Sequence, residues 1–184
     1  MPLKIAVFVG SLRAGSYNRQ LAEALTRLPV ASEHEFTFAD IGALPHYNQD
    51  DDSDQAAPVK AMKALVAASD GVLFVTPEYN RSVPGVLKNA IDHGSRPYGE
   101  SCWSGKPAGM IGVSIGAIGT ALAQQHLRNI LAYLDMPTVG QPEVYLRWND
   151  EMLGDDGTVS EDLAQFLGGW MNTFLKLVEA NQHA

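Results

Sequence analysis

The chain has 184 residues, 46% of them hydrophobic and 18% charged, and 21 Asp and Glu against 13 Lys and Arg give a formal net charge of −8. That composition excludes a disordered chain, and the acidity argues against nucleic acid or an anionic membrane as the main partner, since both attract basic surfaces. The one cysteine, Cys102, excludes an internal disulfide framework and a cysteine zinc cage.

Only Lys4 and a short apolar run follow Met1, too little for a signal-peptide core, and no stretch approaches the roughly 18 apolar residues of a membrane span. The expectation is a cytoplasmic chain with one domain over 1–184. Ile5–Val9 is apolar, β-branched and closed by Gly10, the pattern of a strand buried on both faces. Tyr17 to Leu28 carries a helical apolar stripe that Pro29 ends. Glu35–Ala39 alternates as a strand, Ile41 to Ser53 reads as a solvated loop, and Pro58 to Ser69 has helical spacing.

Gly71–Thr76 is the most apolar strand, Gly85–His93 a helix, and Tyr98–Lys106 a polar surface excursion around Cys102 and Trp103. Ala108–Val113 reads as a strand, and Ile118 to Leu134 as a helix facing inward through Leu122, Leu127, Ile130, Leu131 and Leu134. Thr138–Leu146 is an edge or bulged strand because it contains Pro142. Ser160 caps a last helix with an apolar face through Leu163, Phe166, Leu167, Trp170, Phe174 and Leu177. Alternation of strands and helices predicts a parallel sheet covered on both faces.

Three strands run straight into unusual loops: Gly10 to Asn18, Pro77 to Gly85, and Ser114 to Thr120. In a parallel sheet these share the carboxyl edge, where open α/β sheets bind ligands. The first loop offers Ser11, Arg13, Ser16, Asn18 and a helix N-terminus, groups suited to phosphate. It lacks the dinucleotide and Walker patterns. A simple capped helix start, with Ser16 as N-cap and Arg13 solvated, accounts for it equally well. In the second loop Tyr79 offers a ring face and Asn80 a donor and acceptor, which suits a planar heterocycle; a rigid connecting turn is the plain alternative. The third loop has glycines where a flat ligand can approach backbone.

Gly10 to Arg19 and Thr76 to Asp92 resemble the two signatures of the NAD(P)H-dependent FMN reductase family, in particular its bacterial chromate and quinone reductases and azoreductases. The resemblance runs from Lys4 to about Glu143. It implies a flavodoxin-like fold with strand order 2-1-3-4-5. It implies non-covalent FMN, its phosphate held by Ser11, Arg13, Ser16, Tyr17 and Asn18, with Tyr17 acting mainly through its backbone. Pro77, Glu78, Tyr79 and Asn80 would line the ring and ribityl chain, and Ser114 and Gly116 the ring's other edge. NADPH or NADH would donate hydride and an acceptor would follow on the same face, a ping-pong scheme with no catalytic side chain. Homodimers or homotetramers are implied too.

Arg81 stands where many relatives have an aromatic, and His93 where many have Trp. Arg81 is either a contact for NAD(P)H phosphate or an ion-pair partner. The resemblance implies quinones as acceptors, with azo compounds, free flavin and chromate beside them; the net charge of −8 repels an anion such as chromate at long range and favours a neutral quinone over it. His34, His46, His93 and Asp50 to Asp52 have no metal-ligand spacing. The competing readings are a flavodoxin-like electron carrier with no nicotinamide oxidation of its own, and a phosphate-loop hydrolase, for which the loop lacks a cysteine nucleophile.

Overall fold

The most apolar runs of the sequence become the middle of a parallel sheet. The computed structural model describes residues 1–182. Its strands are β1 (Lys4–Val9), β2 (Glu35–Phe38), β3 (Gly71–Val75), β4 (Ala108–Ser114) and β5 (Tyr145–Arg147). They lie in the order β2-β1-β3-β4-β5, every neighbouring pair parallel, as expected of a flavodoxin-like chain. The helices are α1 (Tyr17–Thr26), α2 (Ala57–Ala67), α3 (Gly85–Gly94), α4 (Ala121–Tyr133) and α5 (Glu161–Asn181).

Alternate side chains of the central strands feed two cores, as the two-residue period of a strand requires. Val7, Val9, Leu73, Val75, Ile111 and Val113 meet α1 and α5 through residues such as Leu21, Leu25, Trp170 and Phe174. Ala6, Phe8, Val72, Phe74 and Met110 meet α2, α3 and α4 through residues such as Val66, Leu87, Ile91 and Leu127. With both faces covered, the carboxyl edge is where loops from β1, β3 and β4 come together.

Several sequence expectations change. The excursion at Tyr98–Lys106 is not all surface: Trp103 is fully buried, donates its Nε1–H to the Ile91 carbonyl at 2.9 Å and packs edge-on against Phe8. Gly94 leaves the room, since a Cβ there would lie 2.4 Å from the Trp103 ring. The fifth strand shrinks to three residues with Pro142 outside it, and Thr138 only bridges to Ala108, because proline has no N–H for a ladder. As expected, it is an edge strand. Leu122 lies in the exposed first turn of α4, while Leu127 and Leu131 are buried. Phe166 is exposed, and Ser160 takes the N-cap position of α5 without a side-chain capping bond. The 41–53 segment buries Ile41 and winds into a short 3-10 turn over Gln49–Asp54. Among the described residues no helix is long and apolar enough to cross a membrane.

Gly112 is a packing requirement of the sheet edge: a Cβ would stand 2.0 Å from the Thr76 backbone oxygen. Gly112→Ala is expected to cost about 2 kcal/mol or more by overpacking. Gly169→Ala, on the exposed side of α5 with nothing near its Cβ, is expected to gain roughly 0.5–1 kcal/mol through helix propensity. Thermal unfolding of the two variants side by side checks both signs.

Candidate functional site

The three loops meet at the carboxyl edge, and side chains tie them together in pairs. Gly10 joins the first to the second: its N–H donates to the Val75 carbonyl at 2.9 Å, and a Cβ there would press on Thr76 Oγ1 at 2.8 Å. Asn18 joins the first to the third. Its amide donates to the Val113 carbonyl at 2.8 Å and accepts from the Val113 N–H at 3.0 Å, in a buried position. Its side chain is thereby committed to the end of β4, which leaves its backbone N–H as its group facing the loop.

Ser16 is the N-cap of α1, its hydroxyl accepting from the Arg19 N–H at 3.2 Å. The N–H groups of Tyr17 and Asn18 open the helix and have no partner within it. Arg13 is exposed, donates to the Gly15 carbonyl, and lies over the Tyr17 ring at 4.6 Å from its centre. A hydroxyl, a guanidinium and helix-terminal N–H groups converge on one concave turn, a donor set with the chemistry of a phosphate cradle. Ser11 stands half-buried at its start.

The second loop is a tight hairpin. Tyr79 and Ser82 exchange backbone hydrogen bonds at 3.1 and 3.0 Å, and Asn80 and Arg81 between them take φ of 50° and 65°. Two consecutive left-handed residues make the turn of a two-residue hairpin, which Asn tolerates well and Arg does not. Glu78 then behaves unlike a ring-lining side chain. Its carboxylate is 7% exposed and turned away into α4, where one oxygen accepts from the N–H groups of Leu122 at 2.9 Å and Ala123 at 3.1 Å. The other faces Arg81 at 3.5 Å. Thr120, at the N-cap position, makes no side-chain cap of its own, so Glu78 caps α4 from a different loop. Ser82 adds a 2.9 Å contact to His126 one turn further along.

Arg81 therefore has an ion-pair partner inside its own hairpin. In the third loop Ser114 Oγ accepts from the Gly116 N–H at 2.9 Å, closing the turn over an exposed Gly116. His93 is buried and donates Nε2–H to the Pro45 carbonyl at 2.9 Å, since a carbonyl can only accept; it packs edge-on against Tyr47. That makes it a strap for the segment after β2. Burial pushes the Cys102 thiol up to about 11, so it stays a protonated thiol at neutral pH.

Leu12, Tyr79, Ile115 and Ile118 rim the edge with 62%, 50%, 71% and 42% exposure. Larger hollows exist, including one of about 530 Å³ lined by Tyr47, Asp92, Arg96, Tyr98, Tyr133 and Asp135, but it contains no part of the three loops. The convergent donors, not the volume, mark the working edge.

A parallel sheet of this order with a phosphate-type cradle after its first strand defines a flavodoxin-like nucleotide-binding protein. Residues 3–149 match the family described as NADPH-dependent FMN reductase. The chain is 53% identical over 175 residues to a 2-hydroxy-1,4-benzoquinone reductase from Burkholderia sp, covering 95% of each. It is 46% identical over 181 residues to a quinone reductase from Pseudomonas putida, covering 97% of this chain and 96% of the relative. The solved structure of FerB, a flavoenzyme NAD(P)H:(acceptor) oxidoreductase from Paracoccus denitrificans, superposes with a TM-score of 0.93 at 44% identity, covering 97% of this chain and 98% of that one. The chain belongs to the NADPH-dependent FMN reductase family. It is an oxidoreductase with FMN as cofactor and a reduced nicotinamide as donor. The carrier and hydrolase readings give way to it.

Sequence reasoning singled out the first two loops but missed what Asn18 and Glu78 attach to. It also missed Trp148, whose ring stacks on Tyr17 at 4.1 Å. Glu78→Ala, which uncaps α4 and unpairs two N–H groups, is expected to cost about 1–3 kcal/mol in urea unfolding and to weaken FMN binding. Glu78→Gln keeps an acceptor and is expected to recover most of the stability.

Proposed function

We propose that the chain is an NAD(P)H:quinone oxidoreductase acting on small benzoquinones, the whole chain serving as one FMN-binding unit. The observation that carries this reading is the apolar rim of Leu12, Tyr79, Ile115 and Ile118, exposed around the cofactor edge. A rim of that kind favours a flat, neutral, weakly hydrated acceptor, and a chain of net charge −8 disfavours chromate. The 53% identity to a 2-hydroxy-1,4-benzoquinone reductase supports a benzoquinone ring as the acceptor. Azo compounds and free flavin are secondary acceptors in this reading. The protein works in the cytoplasm as a homodimer or homotetramer.

FMN, when bound, supplies the transfer of two electrons between successive substrates. The chain's own residues bind and orient. The Tyr17 and Asn18 N–H groups, Ser11, Ser16 and Arg13 receive the phosphate. Pro77, Tyr79 and Asn80 give the ring its wall. Glu78 acts by fixing that wall to α4, and Ser114 and Gly116 present backbone to the ring's far edge. A reduced nicotinamide would supply the hydride's two electrons through the bound FMN and leave before the quinone enters, and reduction of the quinone to a dihydroxybenzene would take those two electrons and two protons. One proton comes with the hydride and one from water at the open edge.

Anaerobic mixing with NADH or NADPH is expected to bleach the visible flavin absorbance, and neutral 1,4-benzoquinone is expected to restore it faster than chromate does. Bleaching with neither nicotinamide, or faster recovery with chromate, contradicts the proposal. Because Arg81 is paired with Glu78, Arg81→Ala is expected to change kcat/KM for NADH and NADPH by the same factor, within about twofold, as for an exposed ion pair. A loss confined to NADPH would make Arg81 a reader of the 2′-phosphate.

A further inference from the structure

Trp148 belongs to none of the three loops, yet it touches the first and is fixed to the third. It follows β5 directly, and its backbone N–H donates to the Ser114 carbonyl at 2.9 Å, extending the β4–β5 ladder by one rung. Its indole N–H reaches Asp150 at 3.3 Å. The ring is half-buried and lies on the Tyr17 ring with centroids 4.1 Å apart and planes 22° apart, a stacked pair. The guanidinium of Arg13 lies over the same Tyr17 ring, 4.6 Å from its centre.

The result is a column: an indole held by a sheet edge, a phenol ring at the first residue of α1, and a cation over the N-terminus of that helix. Each layer limits the next. An unsupported arginine on an exposed loop has many rotamers, and freezing it on ligand binding costs side-chain entropy. A ring face confines it through the attraction between a cation and the π quadrupole. The ring can do that only if it is itself fixed, and Tyr17 is fixed by stacking on Trp148. Only one of the five guanidinium donors is committed, to the Gly15 carbonyl, which leaves the others for an anion. The ring of Tyr17, not only its backbone, therefore has a task.

We propose that Trp148, through Tyr17, is a positioning residue that holds Arg13 ready for the cofactor's phosphate and so contributes to the selection of FMN over riboflavin. The proposal rests on the reading of the first loop as the phosphate cradle, and the test separates the two. Full-length chain freed of flavin is titrated with FMN and with riboflavin, and the dissociation constants are read from quenching of flavin fluorescence. Arg13→Ala is expected to weaken FMN and leave riboflavin unchanged. Trp148→Leu is expected to weaken FMN by about three- to tenfold, again with riboflavin unchanged. Trp148→Phe, which keeps an aromatic under Tyr17, is expected to restore FMN affinity.

Riboflavin binding serves as the internal control for a folded ring site. If Arg13→Ala shifts the FMN preference and Trp148→Leu does not, the positioning role is overturned and the cradle stands. If Arg13→Ala leaves the preference unchanged, the cradle reading fails and the proposal fails with it. Equal losses of FMN and riboflavin in Trp148→Leu would make Trp148 a support of the fold only, and would also overturn it.

Discussion

A carboxylate that is 7% exposed must be compensated, and Glu78 is compensated by the start of a helix. Withdrawing such a group from water costs several kcal/mol. Two N–H donors from Leu122 and Ala123 return about 1.5–3 kcal/mol each as bonds to a charged acceptor, and the positive end of α4 adds to them. The arrangement holds only while the second loop and α4 keep their relative position. The second-loop hairpin, with its left-handed Asn80 and Arg81, is thus fixed to the start of α4 mainly through Glu78, with the Ser82–His126 contact beside it.

Asn18 does the corresponding work on the other side. By pairing with both polar groups of Val113 it fixes α1 to β4, although β3 lies between β1 and β4 in the sheet. The loop donors are held before any ligand arrives, so less ordering has to accompany binding. The Trp148, Tyr17 and Arg13 column is the third such link, running from the sheet's edge strand to the cradle.

What the sequence showed and hid follows from range. The central strands were legible because burial on both faces leaves an uninterrupted apolar run, and their loops because Gly and Pro mark turns by local geometry. The donors of the first loop were legible as a set, and the family resemblance supplied the proposal that they take a phosphate. The attachments were not legible: Asn18 reaches a partner 95 residues away and Glu78 one 44 residues away, and no local pattern distinguishes a capping glutamate from a ligand-lining one. Trp103 was misread because its neighbours are Ser, Cys and Gly, although a single ring in such a segment can bury itself in a distant core. The fifth strand was read too long because apolar content outweighed what Pro142 does to a ladder.

The central claim is that the loops are assembled in advance by Glu78 and Asn18 and then occupied by FMN. Amide hydrogen exchange on the full-length chain, with and without FMN, tests it most directly. The account predicts that the Leu122, Ala123 and Val113 amides are protected in both states, while FMN slows exchange at 11–18, 79–82 and 115–119. Rapid exchange at Leu122 and Ala123 in the flavin-free chain, or protection by FMN confined to other segments, would contradict it.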